Sequence, residues 1–188
     1  MIGAGGRVFC FALGQLEGPS SRWAELMTES DHHYLPNRNR PGHQPAADRG
    51  NRSVIVFVTV CTKNRSPRLA SPEMHQSLLQ AWNGARNWLV GRYVILPDHI
   101  HLFCAPGVYP PAPLLNWVRY WKSQVAKQTG SGSEMLWQKN FWDTQLRQSD
   151  SYQARWEYVK GNPVRHNLVP ITEEWSYQGE LNVLPWNN

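Results

Sequence analysis

The chain has 188 residues, 41% of them apolar, enough for one domain with a sizeable core plus an extension that need not fold. No stretch reaches the roughly 18 apolar residues that span a bilayer. The three cysteines (Cys10, Cys61, Cys104) are odd in number and form no C-x-x-C. This argues against a membrane-spanning helix and a disulfide framework, and the expected compartment is a reducing cytoplasm.

The formal net charge of +5 and the ten Trp fit a polyanionic partner that offers rings for stacking, without demanding one. The apolar run Val8–Leu13 is preceded only by Arg7 and is followed by no clear small-residue cleavage site, so it is not read as a secretory signal. Residues 1–50 read as a largely unstructured extension, because Gly, Pro, Asn, Arg and His dominate from Ser30 to Asn51 with almost no apolar periodicity. A folded domain is expected over 51–180 and a tail over 181–188.

Val54–Cys61 is a run of β-branched and aromatic residues closed by the polar cluster Thr62–Pro67, which predicts a buried strand. Ser71-Pro72-Glu73 supplies a cap and a first-turn proline. Met74, Leu78, Ala81, Trp82 and Ala85 then recur at helical spacing to about Asn87. Tyr93–Leu96 reads as a strand, broken by Pro97-Asp98, and Ile100–Cys104 as its antiparallel neighbour.

A second helix is expected from about Pro113 to Gln128. Its stripe is Leu114, Val118, Trp121 and Val125, with Arg119, Lys122 and Lys127 lying off it. Gly130–Ser133 is a turn, and Leu136-Trp137 with Phe141–Leu146 a short strand pair or edge strand. A last helix covers about Ser149 to Gly161, followed by an irregular tail. The order β-α-β-β-α-β plus a helix predicts an α+β, ferredoxin-like (split βαβ) antiparallel sheet with helices on one face and a further C-terminal helix.

His99 and His101 stand two apart, which on a strand puts both imidazoles on one face. Imidazole is a common ligand of divalent metals. Spacing alone favours two partly exposed strand histidines making ordinary hydrogen bonds, but polar rings entering an apolar stretch need a reason to be there. His75 and His166 read as surface residues. On the last helix Tyr152, Trp156 and Val159 form the core stripe. Tyr158 lies about 200° around from Trp156 and is expected to face away from that stripe. Asn162 shares the side of Tyr158 if the helix persists past Gly161, although Gly161 and Pro163 signal its end.

Taken together, Val94-Ile95-Leu96-Pro97-Asp98-His99-Ile100-His101 resembles the metal motif of the REP-associated tyrosine transposases, members of the HUH endonuclease superfamily. The likeness extends to Val58-Thr59-Val60-Cys61-Thr62-Lys63-Asn64-Arg65, to Leu136-Trp137-Gln138 and Phe141-Trp142-Asp143, and to Tyr158-Val159-Lys160-Gly161-Asn162-Pro163-Val164-Arg165-His166-Asn167-Leu168-Val169. It covers roughly residues 53–178, with the motifs in order.

The resemblance implies a single-strand DNA endonuclease and strand-transferase. Tyr158 would be the nucleophile that forms a 5′-phosphotyrosine link. His99, His101 and Asn162 would hold Mg²⁺ or Mn²⁺. The implied substrate is single-stranded DNA with hairpin or palindromic repeats, handled by a monomer in preference to a dimer. Arg119, Lys122, Arg147 and Arg165 are the candidate phosphate contacts, and Trp117, Trp142 and Trp156 the candidate stacking rings. The alternative is a catalytically inactive DNA-binding remnant or regulator with the same fold. A metal-dependent oxygenase would need a β-barrel, which the helices argue against. One departure is Ser176, in Glu174-Trp175-Ser176-Tyr177, where relatives have a proline; this bears on how the tail packs.

Overall fold

The structure is a computed structural model that describes residues 54–146 and 152–185. The expected extension over 1–50, Arg147 and the first residues of the last predicted helix lie outside the described residues.

Five strands form one antiparallel sheet: β1 (Val56–Cys61), β2 (Trp88–Ile95), β3 (His99–Pro106), β4 (Trp142–Gln145) and β5 (Gln178–Glu180). Their order is β4-β1-β3-β2-β5, with every neighbouring pair antiparallel. The first four members are the split βαβ arrangement expected from the order of elements. β5 is an addition from the tail, which was expected to be irregular.

Strand parity divides the sheet into two faces. Val56, Val58 and Val60 of β1 and Ile100, Leu102 and Cys104 of β3 share one core with α1 (Pro72–Gly84) and α2 (Leu114–Gln128). α1 starts as expected, with the Ser71 hydroxyl accepting from Met74 N–H at 3.2 Å. Trp82, Trp117 and Trp137 surround Trp121 with ring centroids 5.9, 6.2 and 5.6 Å away, all near edge-on. Much of the tryptophan content is thus core rather than a stacking surface. Trp117 is buried there, its indole N–H on the Ala85 carbonyl at 2.7 Å.

The second face carries Phe57 of β1 with the flanking Ile55, Val94 of β2 with the flanking Leu96, and Phe103 of β3. Against it packs α4 (Tyr152–Lys160), through Tyr152 and Val159. The short α3 (Ser133–Leu136) replaces the strand expected at Leu136. Only an isolated bridge, Thr62 with Trp137, remains there of a β pairing.

β2 begins at Trp88, well before the expected Tyr93, and a register shift between Val90 and Tyr93 changes the parity within the strand. Val90 and Tyr93 therefore both face the helix-side core, and no strict alternation is visible in the sequence. The tail is tied to the end of β2. The Trp175 indole donates to the Ile95 carbonyl at 3.0 Å, and Ile95 N–H donates to the Tyr177 carbonyl at 2.8 Å. Ser176 is accommodated between these two bonds.

Candidate active site

His99 and His101 lie on the second face of β3, the face that α4 packs against, and both are buried. Their Nε2 atoms are 3.1 Å apart and their rings meet edge-on at 85°. Each Nδ1 has its own partner. His101 Nδ1 is 2.9 Å from the hydroxyl of Thr59, its direct cross-strand neighbour. His99 Nδ1 is 2.6 Å from Asp98 Oδ1, and Asp98 Oδ2 accepts from Arg65 Nε at 2.8 Å. The Phe57 ring stacks on His101 at 5.4 Å.

When each Nδ1 carries the proton and donates it outward, both Nε2 lone pairs face one shared point. Two nitrogen lone pairs at that separation repel unless a proton or a cation lies between them, so this donor set fits a divalent ion. Burial holds the His101 imidazole well below its usual value, and the charges of His99, Arg65, His166 and Arg165 push the same way. His101 is therefore a neutral donor at neutral pH. Burial alone would raise the Asp98 carboxyl. The hydrogen bond and charge of His99, together with Arg65, outweigh it and lower the group on balance.

The helical path runs on past the expected stop. Gly161 stays right-handed (φ −75°, ψ −8°), donating to Glu157 O at 3.1 Å, and α5 (Asn162–Arg165) follows. Pro163 is tolerated because it stands in the first turn of α5, where its missing N–H is no loss. Asn162 thus lies one helical turn beyond Tyr158. Tyr158 is half-buried and packs beside Trp156 on the second-face core, so it is not turned fully away from that core as the helix arithmetic had it. The Arg165 guanidinium sits 4.1 Å over the Tyr158 ring, and donates to the Tyr158 carbonyl at 2.5 Å and to Asn162 Oδ1. Asn162 is 1% exposed and its Nδ2 has no hydrogen-bond partner.

His166, which the sequence suggested to be a surface residue, is buried, with its ring 6.2 Å from that of His99. Its backbone N–H caps α5 on the Asn162 carbonyl at 2.9 Å. The end of the tyrosine helix thus lies beside His99. The signal for His166 was its i+4 relation to Asn162 within the same motif. Among the described residues no three His, Cys, Asp or Glu side chains gather as a group that could hold a metal ion.

Of the candidate phosphate contacts, Arg119 is exposed on α2, and Arg165 is exposed but already engaged with Tyr158 and Asn162. Lys122, expected off the apolar stripe, is buried: its ammonium donates to the Gln138 carbonyl at 2.5 Å beside the Trp137 ring. Trp142 and Trp156 are half-buried. No helix among the described residues is long and apolar enough to cross a membrane.

No family model matches the chain. Two curated relatives do. One, from Escherichia coli K12, is described as a REP-associated tyrosine transposase and is 26% identical over 126 residues, covering 64% of this chain and 73% of the relative. The other, from Haemophilus influenzae, carries the same description provisionally; it is 28% identical over 95 residues, which is 44% of this chain and 53% of the relative. Among solved structures, one titled as a REP-associated tyrosine transposase bound to a REP hairpin superposes with a TM-score of 0.60 at 23% identity. The match covers 76% of this chain and 82% of that one, and shows a shared fold.

Proposed function

This chain is a relative of the REP-associated tyrosine transposases, and we propose that it cuts and rejoins single-stranded DNA beside hairpin or palindromic repeats. The observation that carries the reading is the convergence of the His99 and His101 Nε2 atoms on the sheet face that the tyrosine helix covers. His99, His101 and the Asn162 amide would hold Mg²⁺ or Mn²⁺, a donor set compatible with either ion. Such an ion, when bound, polarises the scissile phosphate and offsets the charge that builds on its oxygens.

The remaining chemistry belongs to the chain. The Tyr158 hydroxyl oxygen attacks phosphorus, the bond from phosphorus to the 3′ oxygen breaks, and a 5′-phosphotyrosine and a free 3′-OH result. The phenol loses one proton and the departing oxygen takes one up, so the step is proton-neutral. The phosphoester retains the energy needed for rejoining, so the reaction runs in both directions without an external energy source. One copy of the chain carries every residue this reading uses, which favours a monomer. The single-domain reading of 51–180 goes with it.

The test is incubation with Mn²⁺ and a panel of single-stranded hairpins, followed by denaturing electrophoresis. A covalent protein–DNA adduct, lost in Tyr158→Phe and in His101→Ala, supports the enzyme. Hairpin binding without any adduct across the panel overturns it in favour of a binding-only relative.

A further inference from the structure

The turn after β1 is organised around one side chain. Asn64 and Arg65 both take positive φ, 55° and 53°, a left-handed backbone that L side chains adopt only against a penalty and that often marks a functional site. The turn is fastened to the strand break that precedes the histidines. Thr62 N–H donates to the Asp98 carbonyl at 2.9 Å, its hydroxyl lies between the carbonyls of Ser66 (2.8 Å) and Asp98 (3.0 Å), and Leu69 N–H donates to the Pro97 carbonyl at 2.8 Å.

From this anchored backbone Arg65 reaches back with both arms of its fork. Nε donates to Asp98 Oδ2 at 2.8 Å, and Nη1 donates to Cys61 Sγ at 2.7 Å. The other oxygen of Asp98 meets His99 Nδ1 at 2.6 Å. A carboxylate held on both oxygens does not rotate away. It keeps the proton of His99 on Nδ1 and leaves Nε2 as the acceptor that faces His101.

We propose that Arg65 is a positioning residue for the histidine pair: from its left-handed turn it locks the Asp98 carboxylate, and through it the tautomer and ring orientation of His99. The inference rests on the metal-site reading above. The competing role for a half-exposed arginine here is direct contact with a DNA phosphate.

The experiment compares the full-length chain with Arg65→Gln and Asp98→Asn, using ¹⁵N imidazole spectra in the presence of chelator, Mn²⁺ titration followed by electron paramagnetic resonance, and the salt dependence of hairpin binding. The expected result is a single Nδ1–H tautomer for His99 in the parent and a tautomer mixture in Arg65→Gln. Mn²⁺ affinity in that variant should fall by roughly 10- to 100-fold, the range for loss of an outer-shell partner. Where Arg65→Gln fails to fold, the near-isosteric Asp98→Asn is read for the same two changes. The opposite split overturns the proposal: parent-like tautomer and Mn²⁺ affinity, with the salt slope of hairpin binding reduced by about one phosphate contact. A parent that takes up no Mn²⁺ sinks the metal reading, while the tautomer spectra still decide the role of Arg65.

Discussion

Replacing Thr59 with valine removes one oxygen and keeps the shape of a β-branched strand residue. That oxygen partners His101 Nδ1 at 2.9 Å, and both residues are only 7% exposed, so water is poorly placed to replace it. A buried N–H left without its acceptor costs about 1–3 kcal/mol. For a domain of this size about 2 kcal/mol lowers the melting temperature by roughly 6 °C.

Loss of the outer hydrogen bond should also free the His101 ring to change tautomer. Mn²⁺ binding should then weaken by about 10- to 100-fold, or roughly 1.4–2.8 kcal/mol. Thr59→Ser keeps the hydroxyl and should bind Mn²⁺ within a few-fold of the parent. Differential scanning calorimetry and Mn²⁺ titration on the three proteins measure both effects. Parent-like Mn²⁺ affinity in Thr59→Val, with melting indistinguishable from Thr59→Ser, would refute the argument that Thr59 sets the nitrogen His101 presents.

Four further outcomes follow from the described contacts and charges. A Cβ at Gly91 would lie 2.6 Å from Leu184 Cδ1 and Cγ, so Gly91→Ala should destabilise by about 1–3 kcal/mol. In denaturant titrations the double change with Leu184→Ala should cost less than the sum of the two; strict additivity would mean the tail does not pack there. Lys122 is inside the fold, so Lys122→Met should leave the salt slope of hairpin binding intact while Arg119→Ala lowers it by about 0.7; a reduced slope in Lys122→Met would contradict its burial.

Lys122 is also lowered to about 8, chiefly by burial, so between about pH 8 and 10 the unfolded chain binds more protons and stability should rise with pH. The full effect is about 3 kcal/mol, and Lys122→Met should remove it. His101 is likewise lowered on folding. Its unfolded form protonates first, so chelator-treated protein should lose stability as pH falls below about 6.5, less so in His101→Gln. Equal acid sensitivity in the two proteins would count against a buried neutral imidazole.

The histidine pair was legible because strand parity is a local property. A spacing of two decides the face, and the two-helix face is identified by its own apolar positions. The phase change in β2 was hidden, since a bulge at Gly91-Arg92 interrupts the alternation that would announce the strand. Lys122 shows the other limit. Its helical angle places it off the stripe, but the segment at Trp137-Gln138 folds over it from outside the helix, a tertiary event that no wheel contains. At Gly161 and Pro163 the local stop signals were real but outweighed: a glycine can stay right-handed and a proline can begin a turn. The continuation past them places Asn162 one helical turn beyond Tyr158, and His166 against His99.

β3 is hydrogen-bonded along both edges, to β1 on one side and β2 on the other. To displace the backbone of His99 or His101, two ladders must break together. The segment with Tyr158 and Asn162 has no such ladder, since its backbone bonds run along its own helical path. The candidate site is therefore divided mechanically into a stationary anvil and an arm that rests on it. If the proposed cutting and rejoining requires one partner to yield to a passing strand, the weaker attachment decides which, and here it is the arm that carries Tyr158.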